Sequence, residues 1–530
     1  MDQERIINYI DEKLVDAPIL SKNSLKIDET PLEYRNIYFK IKEHIDNYLE
    51  GYIENRFLTL AGLRGIGKTT LLLQIHDYLT NEKKIAEDRV LYIPADELEG
   101  YVACDLYKAI NVFIEEIHET RAVSLEKEIF ILIDEAQYDK NWSKTGKILY
   151  DKTKKIFLIF TGSSALNFEM DVDAVRRIKK ESVFPLNFHE YNRLKNKLHP
   201  PKDYEDTLIN LILNGNLVEN FNESLSRNFN EKLSDNFNEK LSDNFNEKLS
   251  ENLSDNFNEN LSEKLNEDML KNMRKKENEM RKKLLKLNKS LKKEHEKFLL
   301  HGSFPFGLNM EDEEIHRRTF NMIDRIIEKD IFSLQTFSTN SRSTISQIIT
   351  YLALQYPGGT SDKKLATILA RPQKSIREIL NVLEKTHLLF PVKPYGGPGK
   401  LIRKPWKYYF LSPSINTSIR YRMGKYRKND RKFLGLLAEN YIASYFFKIK
   451  QTENQYLNIF YDSSENGVDF LLETVDNIIP VEVSIGKKDK KQIRKAINKY
   501  KSNYGVIISN TTGRIEKRDN ILHIPLISIP

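Results

Sequence analysis

Two rhythms of apolar residues alternate along the first part of the chain. FLTL (57–60), RVLYIPADEL (89–98), EIFILIDEAQ (128–137) and KKIFLIFTGSSAL (154–166) each contain a short apolar run. Runs this short and continuous suit parallel strands buried on both faces. Segments between them, such as TTLLLQIHDYL (69–79), read as helix. Strands alternating with helices predict an α/β layer on a parallel sheet.

The rhythm changes from 217 to 273, where nearly identical octads recur, as in NFNEKLSDNFNEKLSD (228–243). Phe221, Leu225, Phe229 and Leu233 open a series in which every fourth residue is apolar, running on to Met269. A period of four lags the helical 3.6, so the stripe winds around a straight helix by about 40° per step. Two readings stay open: an oligomerisation coil, or an expansion tolerated in a surface loop. After Met280 the spacing of Leu284, Leu287, Leu291 and Phe298 marks an ordinary amphipathic helix with a Lys-rich face.

Residues 343–386 give three helical patterns, the third with Ile376, Ile379, Leu380 and Leu383 on one face. LLFPVKPYGGPGKLIRKPWKYYFL (388–411) then predicts a hairpin with a glycine-rich tip. Three helices and a hairpin read as a winged helix. Gln373, Lys374, Ser375 and Arg377 would begin its recognition helix, with Lys400, Arg403 and Lys404 on the wing. From Lys393 to Lys432 the only acid is Asp430, and aromatics including Trp406, Tyr408 and Tyr421 are interleaved with the cations. That is the footprint expected for a nucleic-acid backbone. The alternative is a domain-packing module with a solvated basic face. Beyond it, FLGLLAENYIASYFFK (433–448) predicts a helix containing Glu439. LNIFYD, GVDFLLET with Asp469, and IIPVEVSI with Glu482 predict three strands. A basic helix (487–501) and the strand YGVIISN (504–510) follow.

A chain of 530 residues exceeds what one core supports, so several domains are expected. The net charge of +7 is modest, and its placement matters more than its size. Cys104 is the only cysteine, which excludes an internal disulfide and a cysteine zinc cluster. The start, MDQERIINYIDEK, lacks the basic and apolar regions of a secretory signal, and no stretch reaches the length of a membrane span. A cytoplasmic location without a membrane partner is expected.

The chemistry concentrates after the first strand. Gly62, Gly67, Lys68 and Thr69 satisfy G-x-x-x-x-G-K-[ST] between a predicted strand and a predicted helix. Such a loop turns backbone N–H groups toward phosphate oxygens, so Gly62, Leu63, Arg64, Gly65, Ile66, Gly67, Lys68, Thr69 and Thr70 are expected to hold ATP. Lys68 would reach the β- and γ-phosphates and the Thr69 hydroxyl would bind Mg²⁺. Asp134 would hold the same ion through water, and Glu135 would polarise the attacking water. Ser163 or Ser164 would sit beside the γ-phosphate. Arg176 and Arg177 are candidates for an arginine finger or sensor.

Taken together, GLRGIGKTTLL, LIDEAQ with Trp142 downstream, FTGSSAL, the Arg pair and FPLNFHEY resemble a large prokaryotic, notably archaeal, family of AAA+/STAND-type ATPases. The resemblance covers about 30–195 and resumes at FLLHGSFPFGL (298–308). It implies a winged helix and a C-terminal PD-(D/E)xK nuclease-like domain. In that domain Glu439, Asp469 and Glu482 match the acidic metal ligands, with Gln492 and Tyr500 on the helix that lines the site. Ser484 stands where a lysine normally orients the attacking water, leaving Lys487 or Lys488 to reach in. The implied organisation is a multidomain α/β chain. It comprises an N-terminal helical segment (1–56), a P-loop ATPase domain (57–195), an insertion with the octads and Lys-rich helix (196–296), a helical lid (297–342), a winged helix (343–420) and the nuclease-like domain (421–530). Two function classes stay open: an ATPase that acts on DNA, and a nucleotide-switched signalling protein that assembles without cutting DNA. DNA and a homo-oligomer are the expected partners.

Overall fold

The computed structural model describes residues 3–27, 30–163, 172–214, 267–286, 290–331, 339–355, 358–486 and 490–530. They pack as two units. The first takes Met1–Leu198, His295–Lys393 and Arg403–Gln455, and the second takes His199–Glu294, Pro394–Ile402 and Tyr456–Pro530.

The first unit is built on five strands: β1 (Phe57–Ala61), β2 (Val90–Pro94), β3 (Ile129–Asp134), β4 (Ile156–Gly162) and β5 (Lys179–Ser182). Their order is β2-β3-β4-β1-β5, and every pair is parallel. β1, β3 and β4 are buried along their whole length, which is why each reads as an unbroken apolar run. β5 has the sequence KKES and carries no such signal. Only Glu181 is buried there, because His44 and Lys40 lie 3.0 Å from its carboxylate. Placing β4 between β1 and β3 brings the ends of all three strands side by side. The helix Gln3–Ser24 buries Ile6, Ile10 and Ala17 in this unit, and Asn36–Leu49 buries Tyr38, Ile41 and Ile45.

The rest of the first unit is mainly helical. Leu291–His301 leads into a tight turn at Pro305–Gly307, then Asp312–Arg325 continues as a wider helical turn, Ile326–Ile331. Three helices follow, Thr339–Leu354, Asp362–Leu369 and Gln373–Lys385, with the antiparallel hairpin β6 (Leu389–Pro394) and β7 (Lys407–Phe410). Ile376, Ile379, Leu380 and Leu383 are buried, as their spacing requires. The glycine-rich tip between the two strands, which groups with the second unit, contains the short helix Pro398–Arg403, started by proline at its first position. The helix Arg431–Thr452, capped by Asp430, groups with this unit rather than with the strands that follow it in sequence.

The second unit contains β8 (Asn458–Tyr461), β9 (Phe470–Glu473), β10 (Ile478–Ser484), β11 (Gly505–Ser509), β12 (Glu516–Arg518) and β13 (Ile521–Pro525). β8, β9 and β10 form an antiparallel meander. The helix Lys491–Tyr500 then carries the chain across to β11, parallel to β10, and β13 extends the sheet in the same sense. Val468, Leu471, Ile493, Ala496, Ile507 and Ile521 form the core between helix and sheet. The predicted order of three strands, helix and strand is observed; β12 and β13 lie beyond what the sequence reading reached. The octads between 217 and 266 fall outside the described residues, yet both flanks are built into this unit. The Tyr204 hydroxyl on the helix Tyr204–Leu213 donates to the Ser528 carbonyl at 2.9 Å. Glu277, in the helical stretch 267–285, accepts from Ile515 N at 2.9 Å and Ser528 Oγ at 2.8 Å. The Lys-rich helix is therefore core architecture, not an appendage.

Gly146 tests the packing beneath the sheet. A Cβ there would lie 2.2 Å from the Phe57 ring, so Gly146→Val should destabilise the protein by about 1–3 kcal/mol of overpacking, read as a lowered thermal midpoint.

Candidate functional site

The loop 62–67 connects β1 to the helix Lys68–Asp77 and folds as its glycines allow. A Cβ at Gly62 would meet the Val183 carbonyl oxygen at 2.3 Å, so nothing larger than glycine fits. Gly65 and Gly67 adopt φ of +74° and +89°, the left-handed region that glycine enters without strain. Lys68 is buried, and its ammonium donates to the carbonyls of Gly62 at 3.0 Å and Leu63 at 3.2 Å.

The strand order places Asp134 across from this loop. Thr69 Oγ1 donates to Asp134 Oδ2 at 2.6 Å. Thr161, at the end of the intervening β4, donates its hydroxyl to Asp134 Oδ1, and the Glu135 N–H reaches the same oxygen at 3.1 Å. Burial pushes the Asp134 carboxyl up, opposed by the hydroxyls of Thr161 and Thr69 and by the charge of Lys68. Glu135 has φ of +52°, a conformation costly for a side-chain-bearing residue, and its N–H is fixed by Asp134 and by Thr161 Oγ1 at 3.2 Å. Its carboxylate accepts from Gln137 at 2.5 Å and lies 3.5 Å from the Arg64 guanidinium. Ser163 is buried just past β4 with its hydroxyl unpartnered among the described residues, and Ser164 lies outside them.

These residues open onto a cleft of about 690 Å³. Gly65, Gly67, Lys68, Thr69, Thr70 and Glu135 line one part of it, with apolar Leu32, Leu194, Pro305, Phe306, Leu308 and Met322 elsewhere. Arg35, Arg318 and Arg325 add positive charge. Sequence reasoning missed all three, because none lies near a motif. The only signal available was the HGSFPFG turn, which delivers Pro305 and Phe306 against the loop. Arg35 is the anchor of the loop. Its guanidinium donates to the Ile66 carbonyl and to the Phe184 carbonyl, both at 2.7 Å, and pairs with buried Glu190 at 3.1 Å. Burial alone would raise the Glu190 carboxyl, but the charge and hydrogen bonds of Arg35, with the Lys448 charge and the Asn36 N–H, together hold the group below its ordinary value.

Arg176 and Arg177 are not among the cleft residues. Arg176 is exposed, and Arg177 pairs with Asp151 at 2.6 Å. Some cations of the basic stretch are engaged by the fold, but Arg420 alone among those from Lys393 to Lys432 is buried. Arg420 is buried and donates to the Ala353 carbonyl at 2.8 Å, Lys428 meets Asp312 at 3.1 Å, and Arg422 lies over the Phe320 ring at 3.7 Å. Arg377 is bound to Asp362 at 2.6 Å, whereas Lys374, Lys400, Arg403 and Lys404 are exposed. Among the aromatics there, Tyr409 is buried, whereas Tyr421 stacks on His316 and stays exposed.

The acids expected as nuclease ligands are placed as follows. Glu439, in the first unit, accepts from the Tyr409 hydroxyl at 2.6 Å and lies 3.3 Å from Lys407. In the second unit Asp469 accepts from the Val483 N–H at 2.8 Å, Glu482 is buried in β10, and the Ser484 hydroxyl donates to the Gly486 carbonyl. Gln492 donates to the Gly467 carbonyl at 2.6 Å, and Lys499, beside Tyr500, binds Asp462 at 2.9 Å. Lys487 and Lys488 lie outside the described residues. Among the described residues no group of three His, Cys, Asp or Glu side chains is placed to hold a metal ion. No described helix is long and apolar enough to cross a membrane.

Family models match along the chain: an AAA domain at 54–192, a Domain of unknown function (DUF8612) at 292–423, and a Domain of unknown function (DUF4143) at 434–529. The uncharacterized protein MJ1637 of Methanocaldococcus jannaschii is 30% identical over 493 residues, covering 92% of this chain and 87% of that protein. The chain belongs to the MJ1637 family. An uncharacterized protein of Haemophilus influenzae is 31% identical over 157 residues, covering 28% of this chain and 38% of its own. The Walker-type ATPase paby2304 of Pyrococcus abyssi is 16% identical, with a TM-score of 0.37 over 74% of this chain and 97% of its own. The five-stranded sheet and the loop at its edge thus belong to an AAA-type P-loop domain.

The Arg35–Glu190 pair sets a stability test. Removing one partner of a buried ion pair costs about 3–5 kcal/mol, so Arg35→Ala should lower the urea midpoint at pH 7 accordingly. Glu190 is depressed in the folded state, so its contribution is present above its unfolded value and is lost as pH falls. The deficit of the variant should therefore shrink once the pH drops below about 4.3.

Proposed function

We propose that this chain binds and hydrolyses ATP in the cleft beside β1 and β3. The observation that carries the reading is the contact of Thr69 with Asp134 at 2.6 Å, beneath a loop whose buried lysine lies among the loop carbonyls. A hydroxyl and a carboxylate in contact form an all-oxygen donor set that suits Mg²⁺. When bound there, the ion would offset phosphate charge, with Thr69 and Asp134 holding it. Lys68 and the loop N–H groups of Gly65, Gly67 and Thr70 bind phosphate oxygens. Glu135 orients water and accepts its proton. The water oxygen bonds to the γ-phosphorus as the bond to the bridging oxygen breaks, and that oxygen leaves with its electron pair as part of ADP. Ser163 offers a hydroxyl from the end of β4.

DNA is the macromolecule we infer for the remainder. Three helices with a hairpin between 339 and 410 support a winged helix, and exposed Lys374, Lys400, Arg403 and Lys404 supply phosphate contacts. The strand and helix order of the second unit supports a PD-(D/E)xK-like fold. Cleavage is not part of the proposal, because Asp469 is engaged by Val483 and Ser484 supplies no charge. The second reading is a nucleotide-switched assembly in which Arg176 serves a neighbouring copy; its exposure outside the cleft favours that reading.

Lys68→Ala should abolish ATP hydrolysis in a phosphate-release assay while leaving the melting profile intact, and EDTA should do the same to the wild type. Turnover persisting in Lys68→Ala would overturn the assignment. With supercoiled DNA and Mg²⁺, wild type and Asp469→Ala should bind alike and nick alike, at background; cleavage lost only in Asp469→Ala would show an active nuclease.

A further inference from the structure

One guanidinium in the cleft has no part in the steps above. Arg64 occupies the third position of the phosphate loop and lines the cleft with Gly65 and Lys68. Two acids hold it. Asp330 Oδ1 accepts from Nη2 at 2.9 Å and from Nε at 3.2 Å, and Glu135 Oε2 lies 3.5 Å from Nη1. Asp330 is buried, and it sits on Ile326–Ile331, the continuation of the helix Asp312–Arg325 that also lines the cleft. Burying a lone carboxylate is costly, so this aspartate is tolerated because the guanidinium is there. The arrangement fixes both the position and the charge of Arg64. Burial works against that charge, and the facing Asp330 and Glu135 more than restore it.

A guanidinium offers five donors in a fixed fork, and these two acids engage only part of it. The group is thus planar, permanently charged and held beside the carboxylate assigned to water, on the loop assigned to phosphate. Arg177, by contrast, is committed to Asp151. Resting on the hydrolysis reading, we propose that Arg64 stabilises the transferring phosphoryl group in cis, and that Asp330 is the positioning residue that aims it. The arginine therefore need not come from another copy of the chain. Because Asp330 belongs to the helical segment over the cleft, the placement of that segment sets the aim of the arginine.

The test uses the full chain with Mg²⁺ and ATP, measuring kcat and KM, alongside direct binding of a fluorescent ATP analogue. Arg64→Ala should lower kcat by roughly a thousandfold, the lower end for such arginines, with analogue binding close to wild type. Arg64→Lys should fall between the two, since it keeps the charge without the fork. Asp330→Asn should lower kcat by roughly tenfold, the scale of one misaimed charge-assisted contact, at nearly constant KM, with Asp330→Glu recovering part. Specific activity should not change with protein concentration. Turnover kept in Arg64→Ala would overturn the proposal. So would specific activity that rises with concentration and is lost in an Arg176→Ala, Arg177→Ala double variant, which would place the arginine in trans. Should Asp330→Asn fail to bind the analogue, Asp330→Glu and Arg64→Lys decide the point through their kcat at unchanged binding. Wild-type protein without turnover would overturn the hydrolysis reading, and this assignment with it.

Discussion

A single buried guanidinium holds the phosphate loop to the rest of its domain. Arg35 lies before the sheet in sequence, yet it gathers the carbonyl of Ile66 in the loop, the carbonyl of Phe184 beyond β5 and the carboxylate of Glu190. A loop able to bend around phosphates must be rich in glycine, and a glycine-rich loop has little side-chain packing of its own. Its shape must then be imposed from outside. Arg35 does this with directional, charge-assisted bonds in a place where water cannot compete. The neighbouring glycines are constrained by what abuts them, Val183 behind Gly62 and Phe306 against Gly65.

The same economy governs the positive charge farther along. A stretch with one acid among many lysines and arginines reads from sequence as a surface awaiting a polyanion. Part of that charge is engaged by other residues of the chain. Arg420 closes helix ends at Ala353, Lys428 crosses to Asp312, and Arg422 lies on Phe320. Charge density along a chain does not reveal which cations are engaged, and here Arg420 is the one that is buried. Lys400, Arg403, Lys404, Lys425, Arg427, Arg431 and Lys432 stay exposed, so a basic surface is retained beside the engaged residues.

How much could be read in advance follows from the distance over which each feature is determined. The buried strands and the phosphate loop are local: an apolar run or a spacing of glycines, lysine and threonine is complete within a dozen positions or so. The contact between Thr69 and Asp134 needs the strand order as well, which the alternation of elements leaves open. Arg35 meets Glu190 across 155 positions and Arg64 meets Asp330 across 266, and no local pattern marks either pair. β5 was hidden for another reason, since its one buried residue is a glutamate satisfied by Lys40 and His44 from an earlier helix. Glu439 is a further case, since its partners Tyr409 and Lys407 lie 30 and 32 positions away.

The second unit is stitched from three separated stretches of chain, and its stitching has a temporal side. Tyr204 cannot find the carbonyl of Ser528 until another 324 positions have been synthesised. At the roughly 5–20 residues per second of translation, that is a wait on the order of tens of seconds. Throughout it, Leu208 and Ile212, buried in the finished protein, have no strand to cover them. The β1–β5 sheet is complete by Ser182, long before that moment. The nascent molecule therefore spends much of its synthesis with one sheet formed and an apolar helix held in reserve, which makes the growing chain, rather than the finished one, the form most in need of protection.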